Sequence, residues 1–200
     1  MRDFLKKVEN GVGKGWDTDT RLWSPHSSVE GGTDTLAFGH KLTKDEINSG
    51  LIHGIPYKKG ITTEQANQIL DIDIDAHKVR AAALITKQHP NVNWEGLSTK
   101  QQDMLTLYEF NGVLDKFKNY RTAVLSSDWD TVAAEYKVYS GGKPLGRNKE
   151  FYQEYISPEL NKASGLGLLS LFNSASIRLK QFQESRPTYY KTYFKDLEGY

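Results

Sequence analysis

The stretch KKVENGVGKGWDTDT, residues 6–20, decides what kind of fold this chain adopts. Glycines at 11, 13 and 15 beside Lys14 suggest a loop that cradles a phosphate, which would make the chain a nucleotide binder. A Walker loop needs four residues between its glycine and the Gly-Lys pair, then Ser or Thr, all after a buried strand. Here Trp16 follows Gly15, and the preceding DFLKKVE places Phe4, Leu5 and Val8 on one helical face. No βαβ unit surrounds the glycines, so a dinucleotide fingerprint fails as well. The other reading is a short helix from Asp3, as cap, to about Glu9, ended by Gly11, with a carboxylate left at the mouth of a polar loop. At the last turn Glu9 would feel the negative end of the helix dipole. Apolar cover from Trp16 or Trp23 would raise its pKa further, so that it could hold a proton near neutrality.

Working outward, the 200 residues suffice for one domain, or one domain with an appendage, and can bury a core without staples. Apolar residues make up 38% and charged residues 26%, the balance of a globular chain rather than a disordered one. A net charge of +1 gives no global field toward nucleic acid or an anionic membrane. Cysteine is absent, which removes disulfides and thiol chemistry and argues against structural zinc. The start, MRDFLKKVEN, holds no apolar run of signal-peptide length, and no stretch approaches the roughly 20 apolar residues that span a bilayer. The expectation is synthesis in the cytoplasm, with delivery elsewhere left to another agent.

TRLWS and TDTLAFGH alternate well enough to be the two strands of an irregular hairpin, with Gly31 and Gly32 at its tight turn. Thr35 and Ala37 would share one face of the second strand, with Phe38 on the other. Three capping boxes, Thr43 with Glu46, Thr62 with Gln65 and Ser98 with Gln101, each open a helix. The second of these is long and amphipathic, with Ala66, Ile69, Leu70, Ile74 and Val79 inward, and HPNVNW breaks it. NYRTAVLSS, DWDTVAAEYKVYS and RNKEFYQEYI read as further helices, GGKP as a turn, and SPELNKASGLG as a break. LLSLFNSASIRLKQFQ would form a last amphipathic helix before an aromatic-rich end. The fold class is α+β, mainly α, with one small sheet near the front.

Two further motifs fail on their chemistry. DIDIDA (Asp71, Asp73, Asp75) imitates a calcium loop, but Ala76 stands where a glycine must turn and Ala82 where a bidentate glutamate is required. Its ordinary reading is an exposed acidic helix face, with His77 pairing Asp73 one turn away. The five histidines show no ligand spacing, so no metal is expected. What remains is carboxylate chemistry.

Glu9 at a helix end, followed by TLAFGHKLT (residues 35–43), resembles the phage-type lysozymes, the muramidases of glycoside hydrolase family twenty-four. In that family a glutamate ends the first helix, and a hairpin carries an acid and a T-[IL]-[GA]-[FY]-G-H-x-L-T strand. GITTEQANQILDIDIDAH, LSTKQQDMLTLYEFNGV and the block from FKNYRTAVLSS to RNKEF are similar to later family segments in the same order. The resemblance spans about residues 3–157. It implies a lysozyme-like catalytic domain over 1–157, with a hairpin lobe at about 12–60, a helical lobe at about 61–157 and an extension over 158–200. This chain departs from the family in three places: Asn10 stands between Glu9 and Gly11, the front loop is longer, and Val29 occupies the position of the second acid.

The resemblance implies hydrolysis of the β-1,4 bond between N-acetylmuramic acid and N-acetylglucosamine in peptidoglycan, by a phage-encoded enzyme that lyses or enters its host. Glu9 would protonate the leaving oxygen. Glu30 is the candidate second carboxylate, with Asp34, Asp17 and Asp19 as competitors, and Thr35 would hold the attacking water. Carboxyl groups roughly 6.5–9.5 Å apart would mean inversion and about 5–5.5 Å retention. His26, with Ser28, would shape the pocket, His40 and Gly39 would support the hairpin, and Phe110, Asn111, Phe117 and Arg147 would line the cleft. No cofactor, nucleic acid or membrane span is implied, and a monomer is expected. The 158–200 extension reads as a strap packed on the body or as a contact to a virion component or the wall. Two rivals stand: a lytic transglycosylase on the same bond, and a non-catalytic peptidoglycan-binding or virion module.

Overall fold

The computed structural model describes residues 1–27, 34–140 and 142–163. It is a mixed α+β structure in which most of the small antiparallel sheets gather in the front third and helices make up most of the rest of the described residues. Helix α1 (Arg2–Asn10) leads into β1 (Trp16–Asp17), β2 (Leu22–Trp23), β3 (His26–Ser27), β4 (Asp34–Leu36) and β5 (His40–Lys41). After α2 (Lys44–Ser49), β6 (Leu51–Ile52) and β7 (Ile55–Pro56) form a second hairpin. The helical body comprises α3 (Thr63–Gln88), α4 (Thr99–Phe110), α5 (Lys118–Ser126) and α6 (Trp129–Glu135). A small hairpin of β8 (Tyr139–Ser140) and β9 (Lys143–Pro144) precedes α7 (Arg147–Phe151) and α8 (Ser157–Ala163).

All three capping boxes form, each Thr or Ser hydroxyl accepting from the third backbone N–H and each Glu or Gln reaching back to the cap. These contacts lie within four residues, which is why the starts of α2, α3 and α4 are legible in sequence. Long-range packing decided the rest differently. TRLWS does not pair with TDTLAFGH. Leu22–Trp23 turns back onto Trp16–Asp17, and a separate meander runs β3–β4–β5 with His26 opposite Thr35 and Thr35 opposite Lys41. Strand β4 ends at Leu36, because Ala37 has a left-handed φ of 47°, so Thr35 and Ala37 share no strand face. The turn expected at Gly31 and Gly32 lies outside the described residues.

Val79, expected to face inward, is exposed on α3, while Ala66, Ile69, Leu70 and Ile74 are buried as expected. Pro158 does not break the helical run. It lies inside a continuous helical run from Arg147 to Ala163, where its missing N–H forfeits one backbone bond. The turn before it, Tyr152–Ile156, widens to a π form, with the N–H of Ser157 donating to the carbonyl of Tyr152 five residues back. Glu159 then ties α8 to α4's first turn through Lys100 at 2.8 Å. The last amphipathic helix and the aromatic end of the chain lie outside the described residues.

One apolar core joins the two regions. Phe4 of α1 meets Phe151 and Tyr155 edge-on, seating the N-terminal helix on the C-terminal ones. Trp23 exchanges backbone hydrogen bonds with Ile61 (2.8 and 2.9 Å), and its indole N–H donates to Thr63 at the start of α3. In the helical body Tyr108 and Tyr120 stack at 3.8 Å, both buried. No helix among the described residues is long and apolar enough to cross a membrane.

Candidate active site

Helix α1 is short because its polar end is captured. Asn10 is buried, and its side-chain amide donates to the carbonyls of Lys14 and Ala37, both at 2.7 Å, while its oxygen accepts from the N–H of Lys14 at 2.7 Å. The residue that interrupts the Glu-Gly pair of the resembling family is thus the rivet between α1 and the β4–β5 turn. With α1 fixed in this way, Glu9 sits beside the hairpin. A Cβ placed on Gly39 would lie 3.3 Å from the Glu9 Cβ and 3.4 Å from its Oε2, and Gly39 has a φ of 94°. Only glycine allows this turn to approach the carboxylate so closely.

The other carboxylate oxygen, Oε1, accepts from Arg147 Nη1 at 2.8 Å, both side chains about one-fifth exposed. Arg147 opens α7, so the ion pair joins the end of the first helix to the start of one near the far end of the chain. The pair borders a small recess of about 20 Å³, room for a single water, lined by Phe4, Val8, Tyr108, Asn111 and Val138 among others. A guanidinium in contact favours the ionised carboxylate, opposite in sign to the apolar cover expected from the sequence. Trp23 meets Trp16 on one side and Phe38 on the other in tilted pairs with centroids 5.0 Å apart, and the ammonium of Lys6 lies over Phe38.

Of the expected cleft residues, Asn111 and Arg147 meet Glu9 at this recess. Asn111 caps α4 and donates to the carbonyl of Leu107 at 2.7 Å. Phe110 and Phe117 do not join them. Phe110 lies against His77, with ring centroids 4.7 Å apart, and Phe117 meets Tyr108 edge-on at 5.3 Å as part of the core's edge. Both are packing residues.

Thr35 and His26 form a unit on paired strands. The Thr35 hydroxyl is 3.2 Å from His26 Nδ1 and 3.3 Å from the His26 carbonyl. Donation to the carbonyl leaves the hydroxyl to accept from Nδ1–H. The His26 ring presses on Gly15, where a Cβ would lie 2.6 Å from the ring, and its Nε2 is buried with no partner among the described residues. Lys14 Nζ donates to the Ser27 carbonyl at 2.6 Å, fastening the front loop to the same strand.

Glu30 lies outside the described residues. Asp34 opens β4 opposite Ser27 and is exposed. Asp17 is engaged in its own turn, accepting from the backbone N–H groups of Asp19 (2.8 Å) and Thr20 (3.1 Å), and these bonds hold its carboxyl below the usual range. Asp19 is exposed on that loop.

Sequence reasoning missed a second polar cluster. DIDIDA is not simply a solvated acidic face: Asp73 is largely buried and accepts from His40 Nδ1 at 2.8 Å, with His53 Nε2 3.5 Å from its other oxygen. His77 does not pair with Asp73. Its Nδ1 is buried without a partner among the described residues, and burial, then the nearby Arg80 charge, push its pKa down to about 4. Comparison with known proteins finds no matching family model, curated protein or solved structure.

Proposed function

We propose that the chain is a peptidoglycan muramidase of the phage lysozyme type, with Glu9 as the proton donor. The observation that carries the reading is the placement of Glu9. It ends α1 at the border of a recess, with a hairpin glycine against one carboxylate oxygen and a guanidinium on the other. An acid fixed from two sides at the meeting of a β-rich region and a helical region is what protonation of a glycosidic oxygen needs.

In this account the protonated Glu9 gives its proton to the leaving oxygen as the bond from the muramic acid carbon breaks. Arg147 then stabilises the carboxylate that remains. Glu30 is assigned as the carboxylate across the sugar, activating water or stabilising the oxocarbenium-like transition state. Thr35, oriented by His26, holds the attacking water. The lysozyme-like fold, the phage origin and action on the cell wall, after release or from a virion, belong to the same proposal.

The test is Glu9→Gln, which preserves an oxygen for Arg147 and removes the acid. Turbidity loss of purified peptidoglycan should fall by at least about a hundredfold, with an unchanged circular dichroism spectrum. Wild-type rates in the variant would remove Glu9 from the mechanism.

A further inference from the structure

We propose that His40, His53 and Asp73 form a binding site for a divalent transition-metal ion of the zinc class, with Glu46 as the residue that orients the first ligand. The inference rests on this cluster and not on the glycosidase reading. The three side chains come from β5, the β6–β7 turn and the middle of α3, and their candidate ligand atoms all lie within 4.8 Å of one another. Zinc bound at about 2.0–2.1 Å in a tetrahedron spaces its ligands roughly 3.3 Å apart. The existing separations are 2.8 Å from His40 Nδ1 to Asp73 Oδ2 and 3.5 Å from His53 Nε2 to Asp73 Oδ1, so small side-chain rotations suffice. The absence of cysteine does not bar such a site, since imidazole and carboxylate bind zinc without thiolate.

Glu46 supplies what isolated histidine–carboxylate contacts lack. Its Oε1 lies 3.1 Å from His40 Nε2, while its Oε2 is held by the N–H and hydroxyl of Thr43, each at 2.8 Å, in the α2 capping box. Without metal both ring N–H groups donate, Nδ1 to Asp73 and Nε2 to Glu46; a metal would displace the Nδ1 proton while Nε2–H stays on Glu46. That is the carboxylate–histidine–metal arrangement found behind bound metals. His53 is aimed by the two-residue turn between Ile52 and Ile55, where it takes a left-handed φ of 49°, and its ring meets His40 edge-on at 5.9 Å. The His53 side chain is about one-third exposed against about one-tenth for His40, so ions enter past His53 and water can fill the fourth position.

Asp73 and Glu46 bring two negative charges to two imidazoles. Without metal, His40 shared between the carboxylates satisfies them, and the metal would replace that proton. Occupied, the site clips the turn beside Glu9 and the β6–β7 hairpin to α3.

The experiment uses the tag-free full-length chain, stripped with chelator and titrated calorimetrically with zinc chloride at pH 7.5, with cobalt(II) absorption as a second readout. The expected result is one ion per chain with a dissociation constant of micromolar or below. Cobalt should give a tetrahedral d–d spectrum, and Tm should rise by about 5–10 °C at a hundredfold excess over Kd. His53→Asn, which tolerates the left-handed φ at an accessible turn, should abolish the Tm rise and weaken binding at least tenfold. His89→Gln, outside the cluster, should bind as the wild type does, and Glu46→Gln should weaken binding about tenfold. Absence of one-to-one binding below 100 µM, or equal binding by His53→Asn, overturns the proposal.

Discussion

Replacing Asn10 by alanine tests the joint on which the whole site depends. The side chain makes three hydrogen bonds of 2.7 Å, of which the one to the Ala37 carbonyl is buried and the two to Lys14 border an exposed loop. Water can replace the Lys14 partners, so their loss costs little. The Ala37 carbonyl has no such replacement, and an acceptor left unsatisfied in the interior costs about 1–3 kcal/mol. Asn10→Ala should therefore lower unfolding stability by about 1–3 kcal/mol, read as a reduced urea midpoint with an unchanged m-value. Asn10→Asp retains the acceptor for Lys14 N–H, loses both donors and turns lone pairs toward the Ala37 carbonyl, so it should be no better than alanine. The turn carrying Gly39 loses its anchor, and peptidoglycan cleavage should fall more steeply than stability. An Asn10→Ala protein within 0.5 kcal/mol of wild type, or a fully stable Asn10→Asp protein, refutes the reasoning.

Gly39→Ala places a methyl 3.3–3.4 Å from Glu9 at a φ of 94°. It should cost about 1–2 kcal/mol in urea unfolding and reduce cleavage by displacing the carboxylate; unchanged stability and activity would contradict the close approach. His77 has a folded pKa near 4 against an ordinary value of 6.5, so the unfolded chain binds the extra proton between those values. Stability must therefore decline as pH falls from about 6.5 to 4, by at most about 3 kcal/mol and nearer 1 for a ring only partly buried. His77→Phe, which preserves the contact with Phe110, should flatten that part of the urea-stability profile; an identical pH dependence in the variant counts against it. Replacement of Glu30 should impair cleavage far more than replacement of the exposed Asp34, and the reverse ranking would reassign the second carboxylate.

What could be read from sequence was whatever depends on residues within a turn or two of each other. Thr43–Glu46, Thr62–Gln65 and Ser98–Gln101 announce their helices because the cap bonds are local. The end of α1 with a carboxylate on it was legible for the same reason. Strand partners were not. Leu22–Trp23 had two antiparallel options of similar pattern, and the Trp16–Trp23 ring contact with the Trp23–Ile61 bridge accompanies the nearer. Pro158 was misread because a helical run can absorb a proline where it widens, and the π turn at Tyr152–Ile156 just before it has no signature in the sequence. The convergence of His40, His53 and Asp73 has no local signature, since its spacings of 13 and 20 residues match no motif and depend on how two hairpins fold onto α3. Glu9 and Arg147 are 138 positions apart, and only the family resemblance placed both at one cleft.

The central claim is that Glu9 serves a hydrolytic cut of the muramic acid–glucosamine bond. Digestion of purified peptidoglycan by the wild-type chain, with mass spectrometry of the soluble products before and after borohydride reduction, tests it most directly. The account predicts disaccharide peptides with reducible muramic acid ends, absent from digests with Glu9→Gln. Products ending in 1,6-anhydromuramic acid would make the chain a lytic transglycosylase, and intact glycan strands would make it no glycosidase at all.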